Sequence, residues 1–167
     1  FGPVEAPIDG GKVTKTKRLV VQNTGGKSVT VKLAYQSVIA TPGVTYKVSP
    51  STLTVPGGSS RKATVTMVIR PMWLRHTLDP SMEAEQFLGA DLYPRQYVAD
   101  SSGRLLVTPR GKSALRVPVY GAAKPVSTTT AAATATDITL TGGGFNQGTA
   151  MEQQASAERE RKAAVTK

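Results

Sequence analysis

The sequence predicts an all-β sandwich, and three observations lead there. The first is the stretch Val98 to Tyr120, which reads as three short strands separated by Asp100-Ser-Ser-Gly103 and Arg110-Gly-Lys112. Both separators contain Gly, which accepts the positive φ of tight hairpin turns. The second is strict alternation of apolar residues elsewhere, as in half-buried antiparallel strands. The third is composition: the 167 residues are 39% hydrophobic but only 5% aromatic, with 16 Gly and 11 Pro. The core must therefore be aliphatic, and turns and strands are favoured over long helices.

The strands follow in order. Val13 to Gln22 is β-prone and ends at the turn Asn23-Thr-Gly-Gly-Lys27. Val29, Val31, Leu33 and Tyr35 then share one face, and a one-residue slip would expose all four. Thr41-Pro-Gly43 is a turn, after which Val44, Tyr46 and Val48 alternate. Ser49-Pro-Ser51 breaks the chain before Thr52 to Val55, and Pro56 to Ser60 forms a loop. Arg61 to Ile69 is the cleanest strand, with Ala63, Val65, Met67 and Ile69 inward. Strands at this spacing look like an immunoglobulin-like or fibronectin type III-like module spanning residues 1–121.

Residues 71–94 interrupt the rhythm, and a partly helical insertion is expected there. Ser81 suits the N-cap of a short helix over Met82 to Leu88, with Glu83 and Glu85 in its first turn. The segment holds the only Trp and the only His. It reads either as a docking loop or as a plug for one open end of the sandwich. Beyond Gly121, residues 122–136 form an Ala/Thr-rich linker. Residues 137–167 begin an incomplete second β-module, with Asp137 to Thr141 as a strand, or form a flexible, helix-prone tail.

Chemistry has little to work with. There is no Cys, hence no disulfide or thiolate metal site. His76 has Asp79 and Ser81 nearby, too close in sequence to be independent arms of a triad. Glu83 and Glu85 are two apart and diverge on a helix. No His/Asp/Glu spacing fits a metal, and Gly142-Gly-Gly144 lacks the Lys-Ser/Thr of a phosphate loop. Catalytic residues, metal sites and cofactors are therefore not expected. No run reaches the roughly 18 to 20 apolar residues of a membrane span. No signal-peptide pattern opens the sequence, and its start at Phe1-Gly-Pro reads as a fragment of something longer.

The net charge of +10 permits contact with anionic polymers. Lys12, Lys15, Lys17 and Arg18 line one strand, where Lys guards a sheet edge. Lys27, Lys32, Lys47, Arg61 and Lys62 are spread over others, with no interleaved aromatics to stack on bases. Nucleic acid is not an expected partner.

Several segments resemble the fibronectin type III-like domain that follows the catalytic domain in secreted subtilisin-like serine proteases (subtilases) of actinobacteria. The less generic ones are Leu74 to Gln86, Val98 to Arg104, and Ala114-Leu-Arg-Val-Pro-Val-Tyr-Gly-Ala-Ala-Lys-Pro-Val126. The resemblance covers residues 1 to 126. It implies a parent endopeptidase with an Asp-His-Ser triad, none of which lies in this chain, and the Gly-Thr-Ser-Met-Ala nucleophile segment is absent. The chain would then be a secreted or cell-surface, non-catalytic accessory module that stabilises the protease, docks on it or positions substrate. Its partners would be the catalytic domain of the same polypeptide and protein substrates. Trp73, His76, Tyr93 and Tyr97 are the candidate interface residues, since aromatics in a long loop suit interface anchors. A free-standing cell-surface adhesion module is the alternative, and it should display an exposed aromatic or polar groove, or a concentrated basic face.

Overall fold

In the computed structural model, the described residues are 1–75, 77, 82–94, 100–134 and 136–142. The strands are β1 (Gly2–Pro7), β2 (Val13–Gln22), β3 (Val29–Ile39), β4 (Val44–Ser49), β5 (Thr52–Val55) and β6 (Ser60–Ile69). After a 3-10 turn at Pro71–Trp73 come β7 (Glu85–Leu88), β8 (Asp91–Pro94), β9 (Ser101–Pro109), β10 (Leu115–Val126), β11 (Thr130–Ala133) and β12 (Ile138–Thr141). A five-stranded sheet, β1-β10-β9-β3-β5, faces a three-stranded sheet, β2-β6-β4, and two separate hairpins pair β7 with β8 and β11 with β12.

The core lies between the two larger sheets. Ala63, Val65, Met67 and Ile69 of β6 are all buried, as their alternation requires. Val31 and Leu33 of β3 and Leu105 and Val107 of β9 meet Ala63 and Val65 in one cluster. Met67 and Ile69 meet Val4 and Ala6 of β1, Ala123 of β10 and Leu74 in a second. Removing a side chain such as Val or Met from water contributes about 1.5–3 kcal/mol.

At the edge of the smaller sheet, Lys15 pairs with Met67 and Lys17 with Val65. Directly opposed residues share a face, so both lysines sit on the core side of an edge strand, yet both are exposed. Inward-facing charge at a rim blocks the addition of another strand.

Three expectations need correction. Asp100-Ser-Ser-Gly103 is not a turn: Ser101 to Gly103 lies inside β9, paired with both β3 and β10. Gly103 is required by close approach, not by positive φ. A Cβ there would come within 2.4 Å of both the Gln36 carbonyl and the Tyr35 hydroxyl. The partly helical insertion is also overturned, because among the described residues of 71–94 there is no α-helix. Glu85 to Leu88 pairs with Asp91 to Pro94 across Gly89-Ala90, so the expected helix over Met82 to Leu88 is replaced by a hairpin. A single isolated turn or two of helix is marginal in water, whereas the hairpin satisfies the same backbone groups across two strands. Finally, the sheet does not stop at Gly121: β10 runs on to Val126, and its second half pairs in parallel with β1. The strand expected near Ile138 is present, but its partner β11 comes from the Ala/Thr-rich segment, and Ile138 and Leu140 are exposed.

Two glycines make room for the large side chains between the layers, Gly103 for Tyr35 of its own sheet and Gly121 for Met67 and Tyr46 of the other. Tyr35 and Tyr46 stack with ring centroids 4.6 Å apart, and Phe1 lies against Tyr46. A Cβ on Gly121 would come within 2.7 Å of Met67 Sδ and 2.8 Å of the Tyr46 hydroxyl. Gly103→Ala and Gly121→Ala are each expected to destabilise the chain by about 1–3 kcal/mol through overpacking. Urea denaturation followed by near-ultraviolet dichroism of the tyrosines checks this, and unchanged midpoints would refute the slot.

Candidate functional site

The insertion divides its residues between plug and display. Pro71 and Leu74 are buried against the end of the sandwich, held by the Trp73 amide donating to the Arg70 carbonyl (3.0 Å) and the Leu74 amide to that of Pro71 (3.0 Å). Met72 and Trp73 turn outward, with Trp73 64% exposed. On the hairpin, Phe87 and Leu92 are cross-strand partners and both are exposed. Of the four candidate interface residues, Trp73 is thus available to a partner, and Tyr93 lies on β8 opposite Gln86. His76 and Tyr97 lie outside the described residues. The expected N-cap, Ser81, also lies outside them.

The opposite end is built differently. There β2, β5 and β9 finish, and β3, β6 and β10 begin. Its rim consists of the turn Asn23 to Lys27, the loop Pro56 to Ser59 and the turn Arg110 to Lys112. Asn23 ties two of these together. Its side-chain amide donates to the carbonyls of Lys27 (2.8 Å), Val55 (3.1 Å) and Pro56 (3.2 Å), and its side-chain oxygen accepts from the Gly25 amide (3.1 Å). Gly111 takes positive φ, as the second turn requires, and the Lys112 amide donates to the Pro109 carbonyl (3.1 Å).

Two clefts meet at this turn. One, of about 880 Å3, opens on the outer face of the five-stranded sheet and is lined by Thr30, Lys32, Thr52, Thr108, Arg110 and Lys112, among others. The other, of about 590 Å3, enters the mouth between the sheets and shares Thr30, Arg110 and Lys112. Lys32 sits in one cross-strand row between Thr52 and Thr108. Arg116 and Arg104 lie on successive outward rows of the same face.

The acids of the sandwich keep to one end. No Asp or Glu occurs from Gly10 to Leu78 or from Ser101 to Thr136. Of the 21 Lys and Arg residues, eleven fall in the first stretch and five in the second. The acids of the sandwich proper, Glu5, Asp9 and Asp100, lie toward the far end, where β3 and β6 finish and β9 starts. Glu85 and Asp91 are on the hairpin. Cations stand at both ends, with Lys12, Arg70 and Lys124 at the far one, and antiparallel pairing brings Lys27, Lys32, Arg61 and Arg110 together at the near one. The long acid-free stretches were the available signal.

The tyrosines are the groups whose protonation the fold perturbs. Burial, then the neighbouring Tyr46, pushes the Tyr35 phenol up, and Ser37 offsets only part of this. The Tyr35 hydroxyl is buried without a hydrogen-bond partner. Burial also raises Tyr46, whose hydroxyl donates to the Ser101 carbonyl (3.2 Å). Tyr120 is raised chiefly because its hydroxyl donates to Asp100 (2.9 Å). Among the described residues, no group of three or more His, Asp and Glu is placed to hold a metal ion.

No family model and no curated protein matches this sequence. Among solved structures, the secreted serine protease VesC from Vibrio cholerae aligns with 78% of this chain at 12% identity and a TM-score of 0.42. The alignment covers 22% of the VesC chain, so this chain spans about a fifth of that protein. The PapD-like domain 7 of human CEP192 aligns at 15% identity and a TM-score of 0.41, covering 74% of this chain and 82% of that one. The CupB2 chaperone of Pseudomonas aeruginosa aligns at 17% identity and 0.32, covering 73% and 52%. These likenesses are distant, and the β-sandwich stands on its own strand order and packing.

Raised phenol pKa values fix the sign of an alkaline transition. The folded chain holds its phenolic protons above the ordinary value of 10.0. The stability this confers is whole below that pH and is lost as pH rises through the folded values. Unfolding free energy is expected to fall above pH 10, and the double variant Tyr35→Phe, Tyr46→Phe to flatten the fall. Tyr35→Phe alone should leave stability at pH 7 unchanged or raise it, since it removes an unpartnered buried hydroxyl. Denaturant titrations at several pH values check both, and a marked loss at pH 7 would refute the second.

Proposed function

We propose that this chain is the non-catalytic accessory β-sandwich of a secreted subtilisin-like serine protease. One coincidence carries the reading. The resemblance to the domain that follows the subtilase catalytic domain runs from residue 1 to 126, and the larger sheet ends at Val126. Parts of two of its most specific segments lie on adjoining strands, Ser101 to Arg104 on β9 and Leu115 to Val126 as β10. In this role the cationic and apolar ends are available to different neighbours. The exposed Trp73, Met72, Phe87 and Leu92 suit contact with the protease domain, because large apolar side chains anchor interfaces when covered. Residues 127–129 lead from the sandwich to the hairpin of β11 and β12, which we read as the start of a second, incomplete module.

A second reading, an adhesion module, gains support from one observation: a cation-only end with open clefts, the basic face such a module should carry.

The accessory reading is tested with the parent protein. The reading frame upstream of Phe1 is expected to encode a subtilase domain with a Gly-Thr-Ser-Met-Ala segment. The isolated chain should be β-rich, leave casein intact and take no fluorophosphonate label. Removing residues 1–126 from the parent should lower its melting temperature by several degrees, roughly the effect of 1–2 kcal/mol. An upstream region without a protease domain would overturn the accessory reading.

A further inference from the structure

We infer that the cationic end binds a linear polyol phosphate, a chain of phosphodiesters joined by short hydroxylated linkers. The inference rests on charge placement and on the hydroxyls beside it. It supplies a partner for the adhesion reading but does not require the module to be free-standing.

Three observations choose the ligand. The first is positive charge on rows without acid. Lys32, Arg104, Arg110, Lys112 and Arg116 lie on one face and its rim, and the rows of Lys32, Arg116 and Arg104 carry no Asp or Glu, Asp100 being held by Tyr120 one row farther on. Such a surface concentrates anions, within the reach that salt allows. The second is the company the cations keep. Thr52 and Thr108 flank Lys32, Thr30 lies on the next outward row of the same face, and the larger cleft contains no aromatic ring. Hydroxyls beside ammonium and guanidinium groups serve phosphate oxygens and polyol hydroxyls. Single-stranded nucleic acid needs aromatic platforms for its bases, and the cleft offers none. The third is placement across strands. Lys32, Arg116 and Arg104 stand on three different strands and on successive outward rows, a staggered track that a flexible chain of phosphates can follow. The rim is preorganised by the Asn23 hydrogen bonds, which limits the ordering cost of binding.

The test uses the full chain and poly(glycerol phosphate) as the probe, in titrations from low salt to about 150 mM. Saturable binding is expected, weakening with salt as phosphate contacts release counterions. The variant Lys32→Glu, Arg110→Glu, Lys112→Glu should weaken it by about tenfold or more at fixed salt. The control Lys12→Glu, Lys15→Glu, Lys47→Glu changes net charge equally but lies elsewhere, and should weaken it by less than about threefold. All six positions are exposed, so both variants should keep the wild-type melting temperature. No binding near 150 mM salt overturns the proposal, as does equal loss in both variants, which would mean a net-charge effect. Tighter binding of single-stranded DNA of matched charge overturns the choice of ligand. The protease reading is untouched by any of these results, since it is decided by the upstream reading frame.

Discussion

Everything in this fold depends on β6. It is the middle strand of the smaller sheet, and its inward stripe is shared between the two core clusters. Ala63 and Val65 close the core over β3 and β9, and Met67 and Ile69 close it over β1 and the second half of β10. A three-stranded sheet can cover a five-stranded one only if its central strand reaches both halves. With few aromatic residues, that cover must be aliphatic and closely spaced, which is why close approach governs the glycines of the facing sheet. Gly103 and Gly121 leave room for Tyr35, Tyr46 and Met67, the bulkiest groups between the layers. The orphan Tyr35 hydroxyl is a local cost of that arrangement, offset by the ring it anchors.

The same asymmetry makes the two ends of the sandwich different. At one end the chain leaves β6 through Pro71 to Leu74, and Leu74 fills the gap between the layers. The polypeptide closes this end with its own side chains and then displays Met72 and Trp73 outside. At the other end no insertion intervenes. The turns are short, their backbones are tied by Asn23, and the mouth between the sheets stays open as a cleft.

Much of this was legible in the residues, for reasons that also explain the failures. β3, β4 and β6 announce themselves because each buries one face, and alternation is the direct imprint of that burial. The turn at Gly111 was legible because positive φ at a hairpin leaves a local signature. Gly103 was not, because the absence of a side chain looks the same whether it serves a turn or a close approach across strands. The helix expected over Met82 to Leu88 came from sound local signals, but seven residues cannot outweigh pairing with the next segment. The parallel pairing of β1 with β10 left no trace, since Pro3, Pro7 and the Ala-rich end of β10 lack alternating large residues. Of the candidate interface set, Trp73 is exposed, while His76 and Tyr97 lie outside the described residues. The cationic end was hidden because residues far apart in sequence, Lys27, Lys32, Arg61 and Arg110, converge only once the strands are in register.

A cation-only end could be expected to loosen the fold, yet its charges stand where repulsion is weakest. Lys27 and Lys112 lie on exposed turns, and Lys32, Arg104 and Arg116 point outward from a sheet whose other face carries the core. Water and salt screen such charges at distances beyond about 8–10 Å, so the energetic cost to the folded chain is small. The lysines of β2 make the complementary case. Lys15 and Lys17 face inward at an edge, where they keep other strands away without entering the core. Basic residues therefore do two separate jobs in this chain. On β2 they exclude a backbone, and on the opposite sheet, in rows with hydroxyls and without acid, they leave a surface open to an anion.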